Sequence, residues 1–121
     1  MTLAWPPAAD PASRLVLLVL LHFLADFALQ SDAMARQKCP GCGGSVPWPW
    51  WLTAHGACHG LAVMLVTGSA VLGLAETACH ALIDALKCRG RLSFSADQLL
   101  HLACKALWLA LLPWLDAAAG V

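Results

Sequence analysis

Four pairs of side chains that bind metals or move protons recur at one spacing along this chain: His22/Asp26, His55/His59, His80/Asp84 and Asp97/His101. They use every histidine in the sequence. On a helix, residues i and i+4 share a face one turn apart. Glu76 extends the third pair backwards by another turn. Imidazole mixed with carboxylate suits zinc best, with manganese or iron next. Eight such ligands exceed the needs of one tetrahedral zinc and fit two divalent ions, as in helix bundles whose ligand pairs project inward. Two ions activate water and stabilise a leaving oxygen, which is the logic of phosphoester hydrolysis. Glu76, Asp26 and Asp84 are then the candidate bases, and Lys87 and Lys105 are point charges able to hold a phosphate. The blander readings are polar glue between helices, a metal-free proton path, and, for Asp97 alone, a first-turn carboxylate favoured by the helix dipole. Glue needs two or three such residues rather than eight.

The elements that must carry these pairs are hydrophobic. Of 121 residues, 60% are hydrophobic and only 12% charged, about half the charged share of a soluble domain. Mean hydropathy is +0.72. The polar material cannot cover a soluble surface, so the bilayer is the expected solvent. Seven basic residues balance seven acidic ones without a basic stripe, which excludes nucleic-acid binding. A sustained heptad with polar flanks is missing too, which excludes a coiled coil. The chain reads as all-α, a single four-helix transmembrane domain with helices over residues 13–31, 50–67, 70–88 and 95–115. The prolines of residues 1–13 forbid a regular helix there, and Ser13 is the expected N-cap. A cleaved signal peptide ending at Ala33-Met34-Ala35 is the rival for the first segment; His22 and Asp26 inside the apolar run and a single Arg14 argue against it. Gly68-Ser69 reverses the chain, and Ser93 or Ser95 opens the last helix. Trp48, Trp50 and Trp51 anchor the second helix at the interface, and Trp114 marks the far one.

Residues 32–49 form the one long polar loop and carry CPGCGG. Cys39 and Cys42 have the spacing of half a zinc ribbon, with Cys88 as a third ligand, but a structural zinc needs four. Cys58, Cys79 and Cys104 lie in apolar stretches, where cysteine is a small hydrophobe, so no disulfide framework is expected. Arg36, Lys38, Lys87, Arg89 and Arg91 lie in the two loops on one side, with only Arg14 near the other. The positive-inside rule puts those loops in the cytoplasm and both termini outside it. A disulfide between Cys39 and Cys42 would not persist in that compartment. The same topology brings all four pairs into the cytoplasmic half of the bundle.

The strings HFLADFALQ, MARQK, HGACH, ACHALIDALK and FSADQLLH, in that order, resemble the small bacterial integral membrane proteins of domain-of-unknown-function family 3307. The resemblance spans about Leu15 to Leu111. It is carried by His22, Ala25, Asp26, Gln30, His55, His59, His80, Asp84, Lys87, Asp97, Gln98 and His101. CPGCGG departs from the family pattern, and so does the short interval between His59 and His80. The resemblance implies a multi-pass inner-membrane protein and supplies no activity; a more distant likeness is to membrane-bound metal-dependent hydrolases. The expectation is therefore a metal-dependent hydrolase of a phosphoester or lipid-borne ester. The alternatives are a divalent-cation transport or binding protein, or a structural subunit of a homo-oligomer or larger membrane complex.

Overall fold

The computed structural model describes residues 10–120, and the regular elements among them are all helical. Trp5, Pro6 and Pro7 of the proline-rich start lie outside the described residues. Pro11 does not, and it opens a helix instead of forbidding one, because the first turn leaves its N–H positions unbonded anyway. α1 spans Pro11–Phe23 with Asp10, not Ser13, as its N-cap. Asp10 accepts from the Ser13 backbone N–H at 2.9 Å and from its hydroxyl at 2.7 Å. The helix then widens into a π turn over Leu24–Ala28. Such single turns recur at functional positions, and Asp26 lies within this one.

The expected polar loop contains a short helix, α2 (Asp32–Gln37), because Ser31 caps it by accepting from the Met34 N–H at 3.1 Å. α3 covers Trp48–Thr67, α4 Ala70–Cys88 and α5 Phe94–Ala119. The reversal at Gly68-Ser69 forms: Gly68 takes a φ of 74°, and Ser69 caps α4. Ser93 caps α5, which continues through Pro113 to Ala119 where an end near Leu115 was expected. Leu112 and Leu115, on either side of that proline, pack into the apolar cluster and hold the helix across the lost hydrogen bond.

α3 lies along α4, α1 packs on α3 and α5, and α4 packs on α5. The α3–α4 contact is a glycine seam. A Cβ on Gly60 would fall 2.4 Å from the Gly73 carbonyl oxygen, and one on Gly73 would fall 2.8 Å from the Gly60 oxygen. The Gly56-x3-Gly60 spacing in α3 is the small-residue pattern that lets membrane helices approach closely.

The interior runs in layers along these helices, on stripes four residues apart. Leu18, Val63, Val66, Leu72, Trp108 and Leu112 form an apolar cluster toward the Gly68 end. Toward the basic loops the buried residues become ionisable: His22, Asp26, His55, His59, His80, Asp84, Asp97 and His101. The outer surface has the opposite character, exposing Leu20, Phe27, Leu61, Leu74, Leu82, Leu99 and Leu107, among others. Among the described residues, two helical segments, Pro11–Ala28 and Phe94–Ala119, are long and apolar enough to cross a membrane. α3 and α4 have similar length, 20 and 19 residues, but carry polar residues on their inner faces.

Cys39 is bonded to Cys88, with Cα atoms 5.5 Å apart, while Cys42 is free. This corrects the expectation for the loop. The chain after α2 folds back onto the end of α4, so Cys39 meets Cys88 rather than joining Cys42 in a knuckle, and in that bond it is no thiolate ligand.

Candidate metal centre

The polar layer is assembled from four helices, each supplying one of the expected pairs. The π turn of α1 presents Asp26 to α3, where His55 Nε2 and His59 Nε2 lie 3.1 and 3.2 Å from Asp26 Oδ1. His80 Nε2 of α4 is 3.7 Å from the same oxygen and 3.6 Å from Asp84 Oδ2. His101 Nε2 of α5 lies 3.3 Å from Asp84 Oδ1 and 3.4 Å from Asp97 Oδ1. The close glycine seam allows the His59 and His80 rings to stack with centroids 3.6 Å apart, and His80 and His101 stack at 3.9 Å.

These atoms fall into overlapping groups whose members lie within 4.8 Å of one another: Asp26, His55, His59 and His80; His80, Asp84 and His101; and Asp26, Asp97 and His101. Seven of the eight expected ligands are in them. His22 is the exception. Its Nε2–H donates to Gln98 Oε1 at 3.0 Å, and Gln98 Nε2 donates to Asp26 Oδ2 at 2.7 Å and to Asp97 Oδ2 at 3.2 Å. The His22 ring lies beside those of His59 and His101, with centroids 5.2 and 5.5 Å away, but its Nε2–H is taken by Gln98, and its Nε2 is 3.7 Å from Asp26 Oδ2. Gln98 stood in the sequence as one of the residues that carry the family resemblance, with no chemical role assigned to it. Gln30 donates to the Asp26 carbonyl at 2.8 Å and so braces the π turn.

Glu76 is placed behind the cluster. Its Oε1 is 3.6 Å from His80 Nδ1, the ring nitrogen facing away from Asp26 and Asp84. Lys105 Nζ and Trp108 Nε1 both donate to the Glu76 carboxylate. Lys105, expected at the rim, is fully buried in this pair. The rim position belongs to Lys38, which pairs with Asp84, and to Lys87, whose Nζ is 3.2 Å from Asp97 Oδ2. Lys38 carried no chemical signal in the sequence beyond its charge. A cavity of about 260 Å³ opens beside them, lined by Gln30, Lys38, Asp84 and Lys87 together with both bonded cysteines.

The fit to a cation rests on nitrogens and carboxylate oxygens that converge without forming hydrogen bonds. His59 Nε2, His80 Nε2, His101 Nε2 and Asp97 Oδ1 are buried without a hydrogen bond of good geometry, though carboxylate oxygens lie 3.2 to 3.7 Å from the nitrogens. Each such atom costs about 1–3 kcal/mol when desolvated and unpaired. Stacked imidazoles cannot relieve this by all becoming protonated, since like charges a few ångströms apart repel strongly in a poorly solvated interior. Divalent cations would satisfy the nitrogens and the carboxylate oxygens together. The group of four has the ligand count of a closed tetrahedral set, and the overlapping group of His80, Asp84 and His101 has the three ligands of a set that keeps an open position.

The fold and the centre define a class: a helix bundle that is apolar outside and polar within, with a buried histidine–aspartate cluster opening on one lysine-flanked cavity. The chain belongs to the family described as "Protein of unknown function (DUF3307)", whose model matches residues 14–118. No curated protein and no solved structure matches it.

Proposed function

We propose that this protein is a metal-dependent hydrolase of the inner membrane, acting on a phosphoester or lipid-borne ester. In this reading its four long helices cross the bilayer, and both termini lie on the non-cytoplasmic side. The apolar exterior and ionisable interior support the membrane, since an exposed Leu or Phe is favourable in lipid and a buried charge needs internal partners. The observation that carries the metal is the set of Nε2 atoms that converge with carboxylate oxygens from α3, α4 and α5 without forming hydrogen bonds.

Asp26, His55 and His59 would hold one divalent ion, and His80, Asp84 and His101 the other; zinc fits the imidazole content best. Two bound ions supply an activated water and charge stabilisation at the departing oxygen. Asp84, which reaches the cavity, is the residue placed to take the proton of the attacking water. Asp26 lies deeper and orients His55 and His59. Glu76, with Oε1 3.6 Å from His80 Nδ1, would orient that ring on metal binding, as carboxylates behind metal-binding histidines do. Water adds to the phosphorus or carbonyl carbon, the ester bond breaks, and the proton passes to the leaving alcohol.

The distribution of ligands favours an enzyme over a cation transporter. A transport path requires ligands through both halves of the bilayer, whereas Leu18, Val63, Val66, Leu72, Trp108 and Leu112 close the half beyond the cluster. Metal analysis of detergent-purified protein should find about two equivalents of zinc or a related ion. His80→Ala and His101→Ala should lose metal, while His22→Ala should retain most of it. Wild-type protein holding less than about 0.2 equivalents after gentle purification would refute the reading.

A further inference from the structure

Lys38 and Lys87 flank the cavity, and each is paired with a carboxylate of the polar layer: Lys38 with Asp84, Lys87 with Asp97. The lysines come from different parts of the chain, and the Cys39–Cys88 bond joins the residues that immediately follow them. The approach of these two segments, with the Cα atoms of Cys39 and Cys88 5.5 Å apart, brings both lysines to one cavity. Lys38 is largely buried, with 12% of its side chain exposed, and Lys87 is 38% exposed. A largely buried ammonium at a cavity wall needs an anion, and Asp84 provides it.

Charge balance shows what changes when the centre fills. Asp26, Asp84, Asp97 and Glu76 are four negative groups, and Lys38, Lys87 and Lys105 are three positive ones. With neutral histidines the cluster carries one net negative charge. Two divalent cations convert this to three positive charges in a poorly solvated site. Asp84 and Asp97 then serve the cations, and the ammonium groups of Lys38 and Lys87 lose their partners. A neutral carboxylic ester would leave that excess uncompensated; a doubly charged anion together with one hydroxide would cancel it.

Resting on the two-ion reading above, we infer that Lys38 and Lys87 form an anion subsite and that the substrate class is a phosphate monoester. Its terminal phosphoryl oxygens accept hydrogen bonds from both ammonium groups in the cavity. Lysine suits this role as a compact charge with three donors. The cavity of about 260 Å³ accommodates a phosphoryl head with only the first atoms of its alcohol. The rest of the substrate extends outward, either along lipid or into water.

The test uses purified full-length protein in detergent, with and without two equivalents of zinc, and inorganic phosphate as the probe in calorimetry. Phosphate should bind the zinc-loaded protein and fail to bind the metal-free protein. Lys38→Met and Lys87→Met should each weaken phosphate binding about tenfold, as expected for losing one charge-assisted contact, without lowering zinc content. Lys38→Arg and Lys87→Arg should recover most of the affinity, which separates charge from folding. Competition by phosphatidic acid in mixed micelles, or by soluble glycerol phosphate, identifies the source of the monoester; displacement by either supports the inference. Zinc-loaded protein that binds phosphate equally well in both methionine variants, or not at all, overturns the subsite while leaving the metal centre standing. Failure to hold zinc removes the centre itself.

Discussion

His80 presents its two ring nitrogens to different surroundings. Nε2 lies between Asp26 and Asp84, and Nδ1 faces Glu76, which Lys105 and Trp108 hold in turn. This makes Glu76 an orienting residue whose loss has two separable effects. Glu76→Gln should lower zinc affinity about 10- to 100-fold, the usual range for outer-shell partners. It should also destabilise the fold, because it leaves the Lys105 ammonium buried without a counter-charge. The double variant Glu76→Gln/Lys105→Met removes that orphan charge. Its thermal midpoint should recover toward wild type while zinc affinity, read by chelator competition, stays low. Recovery of both, or of neither, would count against an orienting role.

Among the elements, the seam between α3 and α4 sets how far apart the histidines stand. Gly60 and Gly73 have no room for a side chain, since even a Cβ would meet backbone oxygen. Thr77 closes the same seam, its hydroxyl donating to the Gly73 carbonyl at 3.0 Å. Gly60→Val should therefore push the helices apart and cost at least about 1–3 kcal/mol, the range for overpacking. The separation should also lower zinc content, because His55 and His59 ride on α3 and His80 on α4. Size-exclusion profiles with metal analysis check this; a well-folded Gly60→Val protein with full zinc would show that the seam does not position the site. The π turn acts comparably in α1, offsetting Asp26 from the α-helical register that His22 follows.

At the scale of the whole molecule, the basic residues gather at one end with the cavity and the disulfide. If that end is cytoplasmic, the Cys39–Cys88 pair sits where thiols are kept reduced and is expected as two adjacent thiols. Orientation is testable through Cys42, which is free and lies in the same loop. In a variant with Cys58, Cys79 and Cys104 replaced by alanine, an impermeant thiol reagent should label Cys42 only after the membrane is opened. Labelling in intact cells would invert the topology and place the bond in an oxidising compartment.

The four i,i+4 pairs, the long helices, the reversal at Gly68-Ser69 and the clustering of basic residues were determined by the sequence alone. Each follows from local rules: periodicity, capping, glycine conformation and the cost of charge in an apolar run. Residues 70–88 were assigned to a helix with the bounds that α4 has. Other features depended on which helix meets which. The tertiary structure decided that His22 bonds Gln98, that Lys105 pairs with Glu76 inside the bundle, and that Lys38 reaches Asp84. It likewise joined Cys39 to Cys88 across 49 positions. Such contacts are set by the rotation and separation of packed helices, which in this chain depend on a π turn and two opposed glycines. Spacing places donors on a face; only packing determines which nitrogens are left without a partner.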